Sequence, residues 1–288
     1  MKTQTPIFVR VSRKRKLVNF GMLFLIAVLS GAALVPLVLV FYHVVKSGFP
    51  ALNWDFFTSL PVPVGEKGGG MGNALLGSLI ILGLASLIAI PLGIFGGIYL
   101  SEYGKGKFAA SVRFVVDLLT SVPSIVTGLF IYAMVVAPMK TYSAWAGALA
   151  YAFMMLPVMM KTTEEILKLM PDHVREAGLA IGLPRWKMIL FIVLRGSRPA
   201  IVTAVLISIA RVAGETAPLL FTAFGNRFWL KDLSEPAPNL PTQIYSYAIS
   251  PFEQWHQQAW AGAFLLLMMV FVVNLFARAY VYRAGGRK

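Results

Sequence analysis

Residues 20–45 read FGMLFLIAVLSGAALVPLVLVFYHVV and contain no Asp, Glu, Lys or Arg. An α-helix needs about 20 apolar residues to cross the hydrocarbon core of a bilayer, so this stretch is long enough to span one. Five more apolar stretches follow along the chain, at residues 73–101, 114–139, 141–160, 199–223 and 259–277. Because a bilayer offers the backbone no hydrogen bonds, such stretches cross it as helices. The pattern predicts an all-α integral membrane protein with six transmembrane helices.

The composition of the chain agrees with this fold class. Of its 288 residues, 58% are hydrophobic and only 13% are charged, whereas soluble domains carry about 25% charged residues. The sequence contains no cysteine, which excludes disulfides and thiolate metal sites. Its three histidines, His43, His173 and His256, lie far apart along the chain, so we expect no metal site.

The distribution of basic residues predicts the orientation in the membrane. The net charge is +14, which in a soluble protein would point to nucleic acid. Twenty of the 26 Lys and Arg residues fall in the two tails and in alternate connections, and five fall in the remaining connections. Because basic loops stay in the cytoplasm, both termini are expected there. The basic tail at residues 1–19 then contacts anionic lipid headgroups, and we expect no nucleic-acid partner.

The apolar stretches divide the chain into segments. Residues 20–45 exceed the apolar core of a cleaved signal peptide and are expected to remain as the first transmembrane helix. Residues 46–72, with aromatic residues followed by Gly and Pro, are expected to form a periplasmic loop. Residues 73–282 would form a core with the other five transmembrane helices, and residues 283–288 a cytoplasmic tail.

The longest cytoplasmic connection, residues 161–198, contains a predicted short helix. Pro171 suits the start of a helix and Gly182 its end. Between them, small or apolar side chains recur at helical spacing on one face: Val174, Ala177, Gly178 and Ile181. Such a shallow face fits a groove of a partner protein or lies on the membrane surface, and the pattern leaves both open.

The predicted fifth transmembrane helix carries two charged residues, Arg211 and Glu215, near its middle. Each alone would cost about 2.5–3.5 kcal/mol or more at the bilayer centre. Their i,i+4 spacing places them on one helix face, which we expect to face the interior of the bundle. They would serve either as part of a substrate path or as a structural ion pair. The same spacing favours a pair between Arg113 and Asp117 in the third helix.

The sequence shows no catalytic constellation. It lacks the Gly-rich phosphate loop of ATPases and the HExxH motif of zinc enzymes. We therefore expect no enzymatic activity, no catalytic residue and no cofactor in this chain. Active transport would draw its energy from a partner or from an ion gradient.

Part of the cytoplasmic connection resembles a known motif. Glu176-Ala177-Gly178, Gly182 and, after nine residues, Ile192-Val193-Leu194 resemble the EAA loop of ABC importer permeases. That motif runs Glu-Ala-Ala, three residues, Gly, nine residues and Ile-x-Leu-Pro. Here Gly178 replaces the second alanine, which keeps a small residue. Arg195 replaces the final proline, which affects only how the loop enters the fifth helix.

Three further stretches resemble the phosphate importer permeases of PstA type. They are residues 93–100 (GIFGGIYL), 121–130 (SVPSIVTGLF) and 210–220 (ARVAGETAPLL). Together they reach from the second predicted helix to the fifth. The EAA loop indicates importer permeases in general, whereas the stretch RVAGETAP at residues 211–218 indicates phosphate as the substrate.

The resemblance implies the type I ABC importer permease fold in a prokaryotic inner membrane. It implies a heterodimer with a second permease subunit of PstC type, a cytoplasmic ATPase dimer that binds ATP and Mg, and an external phosphate-binding protein. The implied ATPase-coupling residues are Glu176, Ala177, Gly178 and Gly182. The implied residues of the substrate path are Arg211, Glu215 and Thr216.

Three other functions stay open from the sequence. An importer permease for another oxyanion or small solute would share the EAA loop. A secondary transporter would use an ion gradient, but the internal repeat typical of that class is missing from this sequence. A membrane assembly factor would use Arg211 and Glu215 only as a structural pair.

Overall fold

The computed structural model describes residues 12–63, 66 and 68–285. Residues 1–11 and 286–288, which include much of the predicted cytoplasmic tails, lie outside the described residues. The described part of the chain contains helices and turns and no strand. Its α-helices in chain order are α1 (Arg13–Gly48), α2 (Trp54–Thr58), α3 (Gly72–Ile98), α4 (Gly106–Ser121), α5 (Ser124–Ile131), α6 (Ala137–Met139), α7 (Ala144–Lys168), α8 (Asp172–Ala180), α9 (Arg185–Met188), α10 (Arg195–Ala213), α11 (Ala217–Thr222), α12 (Leu240–Ala248) and α13 (Glu253–Gly285).

Five helical segments of the described chain are long and apolar enough to cross a membrane. They are Arg13–Ala51, Gly72–Tyr103, Ala144–Lys168, Arg185–Ala213 and Glu253–Tyr280. The bent pair Gly106–Ser121 and Ser124–Met139 brings the number to six when it is counted as one span. The predicted all-α membrane fold is therefore confirmed, although several helix boundaries differ from the apolar stretches.

The third predicted helix is broken rather than continuous. α4 and α5 meet at an angle of 107°. Val122, between them, has an extended backbone with ψ 129°, because a proline disfavours the helical conformation in the residue before it. That proline, Pro123, therefore ends one helix and precedes the next.

The fifth predicted helix begins earlier and ends earlier than its apolar stretch. A helix runs from Arg185 through a π-helical segment, Ile189–Leu194, and continues as α10 to Ala213. α7 also extends beyond its apolar stretch, to Lys168. The predicted cytoplasmic connection is consequently shorter than residues 161–198 and consists mainly of α8.

α3 and α7 form the centre of the described fold. A Cβ added at Gly97 of α3 would lie 2.5 Å from the Cβ of Thr163 in α7, and one added at Gly93 would collide with Met159. Small residues allow this close approach of two helix backbones in a membrane. Gly93 and Gly97 therefore pack within this chain, against α7.

α1 is separated from this centre over most of its length. Residues 12–43 are all exposed in the single chain. The end of the helix packs on α13, where a Cβ at Gly48 would lie 2.7 Å from the Cβ of Phe264 and Trp260 meets His43 edge to face. The exposed apolar side chains of α1 suit contact with lipid or with another membrane helix.

Candidate functional site

The fifth apolar stretch contains a break in the helix. α10 ends at Ala213 and α11 begins at Ala217. The backbone N–H of Glu215 donates a hydrogen bond of 3.1 Å to the carbonyl oxygen of Val212, which closes the last turn. Pro218 lies in the first turn of α11, where its missing N–H would have no helical partner in any case.

Two neighbouring helices, α7 and α5, contact the residues at this break. The hydroxyl group of Tyr151 in α7 donates a hydrogen bond of 2.7 Å to the carbonyl oxygen of Glu215. On another side, α5 packs on α11, where a Cβ added at Gly128 would lie only 2.8 Å from the Cα of Pro218. The two broken segments of the fold, α4–α5 and α10–α11, therefore contact each other.

Arg211 and Glu215 do not form an ion pair with each other in the described structure. Within the described ranges, no salt bridge of 4.0 Å or less joins them. The helix ends at Ala213, so the i,i+4 helical spacing that would place both side chains on one face does not extend to Glu215. Glu215 and Thr216 are half-buried at the break, and Arg211 is exposed in the last turn of α10.

Arg211 lies on the surface of the single chain and not in its interior, contrary to our expectation. Ser208 and Val212, on the adjoining side of α10, are each only 2% exposed, whereas Ile207, one turn before Arg211, is 54% exposed. A cation that faces lipid tails is costly. This face of α10 is therefore suited to a protein interface or a water-filled path.

The predicted cytoplasmic helix is present as α8. It is followed by Gly182 with φ 82°, a left-handed conformation that glycine adopts without steric cost. Ile181, at the end of the predicted apolar stripe, is 75% exposed. The helix lies directly after the C-terminal end of α7.

The small residues of α8 divide between two surfaces. Gly178 is buried, and a Cβ there would lie 2.8 Å from side-chain atoms of both Met188 and Ile192. Glu176 and Ala177 are exposed. The predicted apolar stripe therefore does not form one continuous surface. Gly178 packs against this chain, whereas Ala177 is exposed and accessible to a partner.

A buried ion pair connects α8 to the rest of the fold. Nη2 of Arg175 lies 2.9 Å from Oε1 of Glu102, and their side chains are 16% and 4% exposed. The same guanidinium donates hydrogen bonds to the carbonyl oxygens of Leu167, at 2.8 Å, and Met170, at 2.5 Å. One side chain of α8 thus joins the end of α3 to the end of α7.

A second charged group joins α4 to α7. Nε of Arg113 lies 2.7 Å from Oε1 of Glu164, and Lys161 lies 2.6 Å from Asp117. The expected Arg113–Asp117 pair within one helix is therefore not formed, because each residue pairs with α7 instead. Nη2 of Arg113 also donates to the carbonyl oxygen of Leu100 at 2.7 Å.

The sequence pattern alone predicts no role for Glu102, Glu164 or Arg175. One available signal was the position of Glu102, directly after an apolar stretch, because a carboxylate in such a place needs a partner when it is buried. Its partner Arg175 is 73 residues away along the chain, so local spacing could not identify it.

The two regions differ in the charged groups that they expose. Arg211 is a permanent cation with several hydrogen-bond donors, which suits an oxyanion. Within the described residues, no group of three or more His, Asp or Glu side chains is placed to hold a metal ion.

Residues 89–285 match the protein family described as "Binding-protein-dependent transport system inner membrane component". The chain is 46% identical over 243 residues to the "Phosphate transport system permease protein PstA" of Yersinia pestis, an alignment that covers 84% of this chain and 82% of that one. A protein of the same name from Mycobacterium leprae is 41% identical over 260 residues, with 88% and 86% covered.

Solved structures of low sequence identity share the fold. A bacterial ABC transporter involved in the import of the acidic polysaccharide alginate matches with a TM-score of 0.67 at 16% identity, covering 94% of this chain and 96% of that one. The MetNI methionine ABC transporter in an inward-facing conformation matches with a TM-score of 0.63 at 16% identity, covering 74% and 95%. With these matches, the chain belongs to the binding-protein-dependent transport system inner membrane components and, among them, to the PstA family of permease proteins.

Proposed function

We propose that this chain is the transmembrane permease subunit of an ATP-driven importer of inorganic phosphate. The observation that carries the proposal is the 46% identity over 243 residues to a protein named for phosphate transport. A second support is an exposed arginine on a membrane-spanning helix, Arg211, because its charge suits a path for anions.

The proposed orientation has both termini in the cytoplasm. The excess of Lys and Arg in the tails and in the connection around α8 supports it. Residues 46–72, and the segment between α11 and α12, then face the periplasm, where a phosphate-binding protein would deliver its ligand. α8 lies at the cytoplasmic side.

In this proposal α8 is the coupling helix. It docks on a cytoplasmic ATPase dimer, which binds ATP and Mg. Glu176 and Ala177 support this role because they are exposed on α8. Gly178 sets how closely α8 lies on its own chain, and Gly182 ends the helix with a turn.

The proposed substrate path runs along the face of α10 that carries Arg211. A second permease subunit of PstC type covers this face, so that Arg211 lies between two chains and away from lipid. Glu215 and Thr216, at the helix break beside it, contribute polar groups. Broken membrane helices commonly line substrate sites because their free backbone groups need partners.

Transport then follows from alternating access. ATP binding closes the ATPase dimer and draws the coupling helices together. The spans reorient as packed bodies around the path, which opens it to one side at a time.

Uptake of labelled phosphate tests this function. Phosphate-starved cells that lack the chain are compared with and without the wild-type copy, and sulfate or molybdate is added as a competitor. We expect the wild-type copy to restore uptake that phosphate and arsenate reduce and sulfate does not. Restored uptake that sulfate or molybdate removes would instead indicate a permease for another oxyanion. No restored uptake would contradict the phosphate assignment.

A further inference from the structure

We propose that Glu102 and Arg175 are positioning residues that fasten the coupling helix α8 to the transmembrane core, so that force from the ATPase reaches α3 and α7. This inference rests on the proposed function, since it assumes that α8 contacts an ATPase.

The contact is bidentate and largely buried. Nε and Nη2 of Arg175 lie 3.2 and 2.9 Å from Oε1 of Glu102, and Nε is also 3.3 Å from Oε2. A planar guanidinium makes this fork with a carboxylate, and a lysine ammonium cannot. The pair therefore fixes the orientation of α8 as well as its distance from α3.

Arg175 also contacts the exit of α7. Nη2 and Nη1 also donate to the carbonyl oxygens of Leu167 and Met170, at the C-terminal end of α7. Nη1 lies 3.3 Å from Oδ1 of Asp172 in α8 itself as well. A displacement of α8 away from α7 would break the bonds to Leu167 and Met170 together with the pair to Glu102. The three helices are thus joined at one side chain.

The segment that carries Glu102 is itself held firmly. It is a π-helical turn, Tyr99–Tyr103, at the end of α3. Arg113 donates to the carbonyl oxygens of Leu100 and Gly104. Arg185, in α9 just after α8, donates to the carbonyl oxygen of Glu102 and lies over the ring of Tyr103, with its Cζ 4.6 Å from the centroid. These contacts fix the backbone around Glu102 and so the position of its carboxylate.

A nearby ion pair provides a matched control. Lys161 and Asp117 lie 2.6 Å apart, but their side chains are 46% and 58% exposed. This pair joins α4 to α7 without contacting α8. Exposed pairs contribute little to stability, so its loss should leave coupling intact.

The test uses the whole importer, with both permease subunits, the ATPase dimer and the binding protein, in proteoliposomes. Glu102→Gln keeps the shape of the side chain and removes its charge, and Arg175→Lys keeps the charge and removes the fork. For each variant we measure the ATPase subunit retained per permease, the ATP hydrolysis stimulated by loaded binding protein, and the phosphate imported per ATP.

We expect both variants to retain the ATPase while the ATP hydrolysis stimulated by loaded binding protein falls, because that signal reaches the ATPase through the same contact. Phosphate imported per ATP should fall about ten-fold, within the range that changes along coupling networks produce. Asp117→Asn should remain close to the wild type. The inference is overturned if both variants import as much phosphate per ATP as Asp117→Asn. It is also overturned if both lose the ATPase subunit, because the pair would then serve assembly and not coupling.

A wild-type importer that moves no phosphate would contradict the proposed function alone. Stimulated ATP hydrolysis, with the binding protein loaded with its own ligand, then decides the role of the pair. A fall in Glu102→Gln and Arg175→Lys, but not in Asp117→Asn, supports it, and an unchanged rate overturns it.

Discussion

The hydroxyl group of Tyr151, in α7, donates a hydrogen bond of 2.7 Å to the main-chain carbonyl oxygen of Glu215. Glu215 lies beyond the end of α10, where carbonyl groups leave the helical ladder. Tyr151 is only 2% exposed and belongs to the apolar core that joins α3, α7, α10 and α11. A side chain of α7, the central helix of the fold, thus stabilises the backbone at the helix break beside Arg211.

Replacement of Tyr151 should weaken the fold at this break. Tyr151→Phe keeps the ring in the core but leaves the Glu215 carbonyl without the hydroxyl donor, which should cost about 1–3 kcal/mol. We expect a lower midpoint of thermal unfolding for the purified complex. Tyr132→Phe, on a ring that is 37% exposed, is the control. Equal midpoints for the two variants would show that the hydrogen bond does not hold the break.

The role of Arg211 can be separated from that of Glu215. Arg211→Ala should lower phosphate uptake by about ten-fold or more, which corresponds to a loss of about 1.4 kcal/mol in interaction with the anion. Because no ion pair joins the two residues, Arg211→Ala combined with Glu215→Gln should not recover uptake. Arg195→Ala, at the other end of α10, should transport normally. Full recovery in the double variant would mean that the two residues are a structural pair and not part of the path.

The packing of α3 on α7 should be sensitive to a single methyl group. In Gly97→Ala the new Cβ would lie 2.5 Å from the Cβ of Thr163 and 2.7 Å from the carbonyl oxygen of Met160, and such overpacking costs about 1–3 kcal/mol. Gly83→Ala is the control on the same helix, because no atom lies within 4 Å of its added Cβ. We expect thermal unfolding at a lower temperature for Gly97→Ala alone. The same shift in both variants would contradict this close packing.

The exposed acid of α8 should matter for coupling and not for folding. Glu176→Lys reverses a charge that has no ion-pair partner in the described chain, so membrane insertion should be normal. We expect phosphate uptake to fall to the background level. The control is Glu165→Lys, at another exposed acid near the C-terminal end of α7. Retention of the ATPase by Glu176→Lys with normal stimulated hydrolysis would rule out a coupling role.

The number and class of the membrane helices could be predicted because the length of an apolar stretch is a local property. The positions of the helix breaks could not be predicted, because a proline within an apolar stretch does not by itself interrupt the helix. Pro91 and Pro157 lie inside α3 and α7 without interrupting them, whereas Pro123 separates α4 from α5. Neighbouring helices that supply hydrogen bonds and space decide between the two outcomes.

The candidate site was predictable only where its signal was local. The short helix α8 followed from a proline, a glycine and helical spacing. The ion-pair partners of the charged residues could not be predicted in this way. Arg113 and Asp117 have the spacing of a pair within one helix, but they pair with Glu164 and Lys161 of α7. Glu102 and Arg175 meet only after α3, α7 and α8 have packed.

The burial of Gly178 has a consequence for chimeric transporters. The usual alanine of the motif would bring its methyl group within 2.8 Å of Met188 and Ile192, so the loop and the start of the following helix are shaped for each other. An EAA loop grafted from another importer, with alanine at this position, would therefore have to displace these two side chains. A functional graft should exchange residues 172–192 as one block, and a shorter graft should be rescued by a smaller residue at position 188.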